Sequence, residues 1–141
     1  MRKFFPLLLG LTPFLLGWSL DKIMLLGIMP PLFWLSFAIL ALWFWFGRLA
    51  CRGSGRPVPA LLLLNLPAAL VLILVLIQEL IRGAYWFNLV GLLSQLFYLP
   101  MLNLSFTFTA WASRVWPAYV LSFLLMTGAS LLGCRSLRRH R

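Results

Sequence analysis

The sequence is dominated by five long blocks that contain no charged residue. Their lengths run from 17 to 31 residues, and they cover Phe4–Leu20, Ile23–Gly47, Pro57–Gln78, Gly83–Ser113 and Val115–Cys134. A helix needs about 20 apolar residues to cross ~30 Å of hydrocarbon, because it rises ~1.5 Å per residue. Each block is therefore a candidate membrane span.

The composition excludes a water-soluble globular domain. The chain is 63% hydrophobic and 10% charged, whereas a soluble domain is roughly 45–50% apolar and about 25% charged. The net charge of +10 comes from twelve bases set against two acids, Asp21 and Glu79. Nucleic-acid binding would need a basic patch on a hydrophilic surface, but these bases lie between apolar blocks. The sequence thus predicts an integral membrane protein with no nucleic-acid partner.

The first block is short enough to be read as a signal peptide, since it follows the charged start Met1-Arg2-Lys3. A cleavage site of the A-x-A type is missing, however. Trp18, near the end of the block, is a residue that prefers membrane interfaces. We therefore expect a retained first helix.

The distribution of bases favours four spans over five. Cytoplasmic segments of membrane proteins are enriched in Lys and Arg, and acids contribute little to this rule. With five spans, six of the twelve bases face the cytoplasm. If the block Gly83–Ser113 does not cross, nine do, and only Lys22, Arg82 and Arg114 remain outside. We therefore expect four spans, with both termini in the cytoplasm.

The pattern inside Gly83–Ser113 supports the same choice. Within Tyr85–Leu99, polar or small residues recur at helical spacing, which suggests a helix lying in the interface or tucked back into the protein. Pro100 is expected to stop this helix, and the alternating stretch Asn103–Thr109 predicts an extended outer segment. The alternative is a long fourth spanning helix that bends at Pro100.

The predicted fold is an all-α, four-transmembrane-helix bundle with an additional outer-side interfacial or re-entrant helix and loop. It forms a single domain over residues 1–141, with spans at about 4–20, 23–47, 57–81 and 115–134. Residues 83–113 form the non-spanning outer segment, and residues 135–141 a basic cytoplasmic tail. The expected location is the plasma (cytoplasmic or inner) membrane. The predicted anchoring bases are Arg48, Arg52, Arg56, Arg135, Arg138, Arg139 and Arg141.

Few residues suggest catalysis or metal binding. His140 lies alone in the basic tail, and Cys51 and Cys134 do not form a short-spaced pair, so neither zinc nor thiol-redox motifs are recognisable. Both cysteines are expected near the cytoplasmic face, where a structural disulfide is disfavoured. The sequence therefore predicts neither an enzyme nor a cofactor.

Polar residues in or near the spans are the candidate functional residues. Asn65 lies within the third span, two residues before Pro67, and either lines a path or bonds a neighbouring helix. Charges in spans often mark ion or substrate pathways, so a polar vestibule is the second candidate. The alternative is that these residues simply mark the end of a span. The vestibule would comprise Gln78, Glu79, Arg82, Asn88 and Gln95.

Small residues suggest closely packed helices, because they let backbones approach in lipid. They lie on one stripe of the first span and one of the last, at Gly10, Gly17, Ser122, Ala129 and Gly133. Two functions then remain open. The first is a non-enzymatic accessory, lipid-facing or partner-binding module, whose partners are the bilayer and a second copy or another membrane protein. The second is a small oligomeric transporter or channel with a path near Asn65 or Glu79/Arg82.

Overall fold

The computed structural model describes residues 4–52, 57–83 and 89–138, and within these ranges the regular structure is helical. Five of its helical segments are long and apolar enough to cross a membrane, which indicates a multi-pass membrane protein. The helices are α1 (Phe5–Gly10), α2 (Thr12–Leu25), α3 (Leu32–Arg52), α4 (Pro57–Leu76), α5 (Leu89–Thr109) and α6 (Trp116–Arg138). A π-helical turn, Ile77–Ile81, extends α4.

Prolines and glycines determine where the first helices begin and end. Pro13 removes a backbone donor, and the side chain of Thr12 donates instead to the Leu9 carbonyl at 2.8 Å. The chain then stays helical through Asp21 and Lys22, the two residues that separate the first two predicted spans and where a turn was therefore expected. The turn comes later, at Gly27, whose φ of +79° favours glycine.

Helix α5 differs from the sequence prediction. It continues through Pro100 to Thr109, so the predicted extended segment Asn103–Thr109 is wrong. In this stretch the hydroxyls of Thr107 and Thr109 donate to the carbonyls four residues earlier. The alternating polar residues are therefore satisfied inside a helix, and the alternation does not mark a strand.

Two contacts define the direction of α6. Its C-terminal end lies beside that of α3, where Cys51 and Cys134 are joined by a disulfide. Its N-terminal end lies beside the end of α4, where the Val115 amide donates to Oε1 of Glu79 at 2.8 Å. Helix α6 therefore runs parallel to α3 and antiparallel to α4.

The bundle thus has two ends. We call the end that carries the disulfide and the bases Arg48, Arg52 and Arg135 the basic end. We call the opposite end, where α4 ends and α6 begins, the far end. The far end carries both acids of the chain, Asp21 and Glu79. The predicted anchors Arg56, Arg139 and Arg141 and the side chain of Arg138 lie outside the described part of the chain.

Candidate functional site: a hydrogen-bond node and a disulfide between buried helices

Asn65 forms a hydrogen-bond node that joins three helices. Its Oδ1 accepts a bond from the indole nitrogen of Trp43 on α3 at 3.2 Å. Its Nδ2 donates to the hydroxyl of Ser130 on α6 at 3.0 Å and to the Leu61 carbonyl at 2.9 Å. Asn65 itself is 8% exposed, and Trp43 and Ser130 are fully buried. Both amide hydrogens are therefore used within the protein.

The node occurs in this position because of how the helices run. The antiparallel pair α3–α4 places Trp43, nine residues before the end of α3, level with Asn65, eight residues after the start of α4. Ser130 reaches the same level because α6 descends toward the basic end. Sequence reasoning found Asn65 but not its two partners, because nothing local to Trp43 or Ser130 indicates which helix each one faces.

Two of the predicted vestibule residues bond to different segments of the chain. Gln78 is fully buried and donates to the hydroxyl of Ser94 on α5 at 3.2 Å. Glu79 accepts the bond from the Val115 amide, and Arg82 lies exposed directly after the π-helical turn. Gln95 is half-buried on α5. Asn88 lies outside the described residues.

Asn65 and Gln78 do not form one site. They lie thirteen residues apart on α4 and its π-helical extension, which corresponds to about 20 Å along a helix. Asn65 belongs to the half of the bundle nearer the basic end, whereas Gln78 and Glu79 lie at the far end.

The predicted packing glycines all meet a neighbouring backbone. A Cβ atom added at Gly10 would meet the carbonyl oxygen of Leu64 on α4, and one at Gly17 that of Leu96 on α5. A Cβ at Gly133 would meet the Phe44 carbonyl oxygen on α3. The small-residue stripes thus face other helices of the same chain.

Helices α3 and α6 each contribute a glycine to their close contact. Gly47, which the sequence did not single out, packs against the Ser130 carbonyl in the same way as Gly133 packs against Phe44. Of the other two predicted packing residues, Ser122 pairs with Ser105 on α5 at 2.7 Å. Ala129 is half-buried against the core.

The disulfide is a correction to the sequence prediction. Cys51 and Cys134 were expected to be unpaired, but their sulfurs are bonded and their Cα atoms are 5.6 Å apart. The 83-residue separation hid the pairing, because only the parallel packing of α3 and α6 brings the two helix ends together. Cys51 is half-buried and Cys134 is 5% exposed.

An open groove at the far end is formed by the residues that precede α6 and by the first turn of α6. Its volume is about 450 Å³. The indoles of Trp111 and Trp116 line it together with Arg114 and Pro117. Trp111 is 82% exposed, so this is a shallow surface feature and not an enclosed cavity.

Compared with protein-family models, curated proteins and solved structures, the chain finds no match in any of the three.

Proposed function

We propose that the protein is a four-span membrane module that acts through contacts with lipid and other membrane helices, and not through catalysis or a solute path. In this proposal α1 and α2 together form the first span, and α3, α4 and α6 form the other three. Helix α5 is a re-entrant segment that enters the bundle from the outer side and does not cross the membrane. The main observation in support of this proposal is the Asn65 node, in which both amide hydrogens are bonded within the protein.

The path of α5 supports the span count. The segment that precedes α5 leaves from the end of α4, and the one that follows it leads to the start of α6, beside Glu79. In this proposal α5 starts and finishes at the far end. A helix that crossed the bilayer would have to finish at the basic end.

Contacts along α5 agree with this path. Ser94 bonds to Gln78 in the π-helical turn, and Ser105 bonds to Ser122, six residues after α6 begins. Between them, the Pro100 carbonyl lies 2.8 Å from the Ser36 hydroxyl, four residues after α3 begins. These three partners lie within about 10 Å of the far end, judged by the helical rise. The Tyr98 hydroxyl, in contrast, donates to the Ala68 carbonyl of α4, about 20 Å from the end of the π-helical turn, so the middle of α5 enters the bundle.

The bases support the orientation. With four spans, the sequence order assigns nine of the twelve bases to cytoplasmic segments, and Lys22, Arg82 and Arg114 to outer ones. The enrichment of Lys and Arg on cytoplasmic segments then favours a cytoplasmic basic end in the plasma membrane. This orientation keeps the predicted cytoplasmic location of both termini as part of the proposal.

The hydrogen bonds made by the interior polar groups support a module that has no path for a solute. Asn65 has no amide hydrogen left for a solute, because Leu61 and Ser130 take both. Transporter sites near mid-bilayer instead use unwound backbone and polar groups directed at the substrate. An Asn fully bonded to neighbouring helices stabilises the bundle, by about 0.6–2 kcal/mol per bond.

The outward faces of the helices suit lipid or another membrane helix. On α4 the exposed large hydrophobic side chains fall at helical spacing: Val58, Leu62, Leu66, Leu70 and Ile73. On α3 an exposed aromatic cluster contains Phe33, Trp34 and Phe37, whose ring centroids lie 5.3–6.2 Å apart. Apolar surface of this kind is favourable against acyl chains and unfavourable in water.

A flux measurement tests the function. The purified protein is reconstituted into vesicles, and proton, potassium and chloride fluxes are followed with entrapped dyes. We expect fluxes equal to those of protein-free vesicles. A flux that Asn65→Leu or Glu79→Gln abolishes, with equal amounts of inserted protein, would instead establish the transporter alternative.

Labelling with a membrane-impermeant maleimide tests the topology. Ser113→Cys and Ser136→Cys are each introduced into a chain in which Cys51 and Cys134 are serine. Four spans predict that position 113 reacts only from outside and position 136 only from the cytoplasm. If the N-terminus stays in the cytoplasm, five spans predict the reverse: position 113 reacts only from the cytoplasm and position 136 only from outside.

A further inference from the structure

The disulfide lies among bases at the basic end. Cys51 is preceded by Arg48 at one helical turn and followed directly by Arg52, and Arg135 follows Cys134. All three arginines are exposed. Positive charge near a cysteine favours its thiolate, which is the form that takes part in thiol–disulfide exchange.

The position of this bond is unusual if the basic end is cytoplasmic. Thiols in that compartment are kept reduced, and the disulfides found there in mesophiles are usually transient and either catalytic or redox-sensing. A purely structural disulfide is expected in an oxidising compartment. A disulfide that forms and breaks reversibly is compatible with a basic end that lies in the cytoplasm.

We propose that Cys51 and Cys134 form a reversible thiol–disulfide exchange site that reacts with cytoplasmic thiols. The inference rests on the orientation in the proposed function. Cys51 is the more exposed residue of the pair and is therefore the one that an incoming thiol reaches first.

The exchange proceeds in two balanced steps. A thiolate attacks Sγ of Cys51, the Cys51–Cys134 bond breaks, and Cys134 leaves as a thiolate that then takes up a proton. A second thiolate attacks the sulfur of the first reagent in the mixed disulfide and releases Cys51 as a thiolate. Two reagent thiols are oxidised to one disulfide, and the protein disulfide gains two electrons and two protons.

Reduction leaves the bundle folded. One turn inside the disulfide, Gly47 packs against Ser130 and Gly133 against Phe44, and farther in lies the Asn65 node. None of these contacts needs the covalent bond. Exchange therefore affects only the ends of α3 and α6 and the basic segments that follow them.

The first experiment measures the redox state in cells. Cells are quenched in acid, free thiols are alkylated with a maleimide that adds mass, and the species are separated on a denaturing gel. We expect both oxidised and reduced protein, full oxidation after diamide, and return to the mixed state within minutes of its removal. Cys51→Ser and Cys134→Ser supply the markers for a single free thiol. A pair that stays fully oxidised or fully reduced under all conditions overturns the inference.

The second experiment separates the inference from the orientation. An impermeant phosphine reductant is added to inside-out and right-side-out vesicles of diamide-treated cells, and orientation is read independently from maleimide labelling at Ser113→Cys. We expect reduction from the cytoplasmic face only. Reduction only from the outer face overturns both the orientation and the inference. Failure of reduction at either face, with Ser113→Cys labelled from outside, overturns the inference alone.

A charge variant tests the role of the bases. Arg48→Gln should slow the step that releases Cys51, because the loss of the nearby positive charge disfavours the Cys51 thiolate that has to leave. Arg114→Gln, at the far end, is the matched control and should leave the rate unchanged. Equal exchange rates for the two variants would refute the electrostatic activation of this pair.

Discussion

Replacing Gly133 by alanine tests the close approach of α3 and α6. The added Cβ would meet the carbonyl oxygen of Phe44 and would also come within 2.9 Å of its carbonyl carbon and 3.3 Å of the Arg48 amide nitrogen. All three atoms belong to the backbone of α3. They cannot rotate away as the end of a side chain would, so the helices themselves must separate.

The size of the effect follows from this geometry. Non-bonded carbon atoms pack at about 3.5–4.0 Å, so α6 must move away from α3 by about 1 Å. Overpacking of this kind usually costs about 1–3 kcal/mol. The same movement would disturb Gly47 against Ser130, so we expect the upper part of that range.

Gly128→Ala is the matched control, because a Cβ at Gly128 meets nothing within 4 Å. Both glycines lie in α6, so the gain in helix propensity, up to about 1 kcal/mol in water, is common to both variants. The difference between them isolates the helix contact. We expect Gly133→Ala to be less stable than Gly128→Ala by about 1–3 kcal/mol.

The assay is reversible unfolding of the purified protein in mixed micelles with increasing dodecyl sulfate, followed by helix content. The disulfide is reduced in every sample, so that it does not hold α3 and α6 together. Equal midpoints for Gly133→Ala and Gly128→Ala would refute the reasoning, because they would mean that the two backbones do not approach closely at this position.

The same titration checks three further predictions. Asn65→Leu should lower the free energy of unfolding by about 0.6–2 kcal/mol, because it leaves the partners on α3 and α6 unbonded. The control Asn103→Leu, at an exposed position, should leave the free energy of unfolding almost unchanged. Equal losses of stability in the two variants would exclude the node. Glu79→Ala should lose about 1 kcal/mol by removing the acceptor of the Val115 amide, and Glu79→Gln, which keeps a carbonyl oxygen, should recover most of it. Tyr98→Phe should lose about 1 kcal/mol, since its hydroxyl donates to a carbonyl of α4 at 2.7 Å; an unchanged midpoint would show that this bond contributes nothing.

Sequence reasoning correctly indicated a helical chain with several apolar segments long enough to cross a membrane, but it misplaced some helix boundaries. The predicted turn at Asp21-Lys22 was displaced to Gly27 because a charged pair near a helix end does not stop a helix. A residue with positive φ does, and Gly27 supplies it. Likewise Pro100 did not end α5, because a proline removes one backbone bond and neighbouring helices can hold the remaining turns in place.

The candidate site was predictable only in part. Asn65 was visible because a polar side chain inside an apolar block is costly and must find a partner. Its partners Trp43 and Ser130 were not visible, since an indole and a hydroxyl also occur at membrane interfaces and within single helices. The glycines of the first and last spans were visible from their spacing, but spacing does not say which helix each one faces.

The sequence by itself determined that this is a membrane protein, because the partitioning of each segment into a bilayer depends mainly on the hydropathy and charge of that segment. It also determined the concentration of bases in the segments that follow the second and last blocks. Only the tertiary structure decided that α6 runs parallel to α3, that the Pro100 carbonyl of α5 meets the Ser36 hydroxyl of α3, and that Cys51 reaches Cys134. These features depend on which helix packs against which, and that choice is made by backbone contacts and hydrogen bonds between residues tens of positions apart.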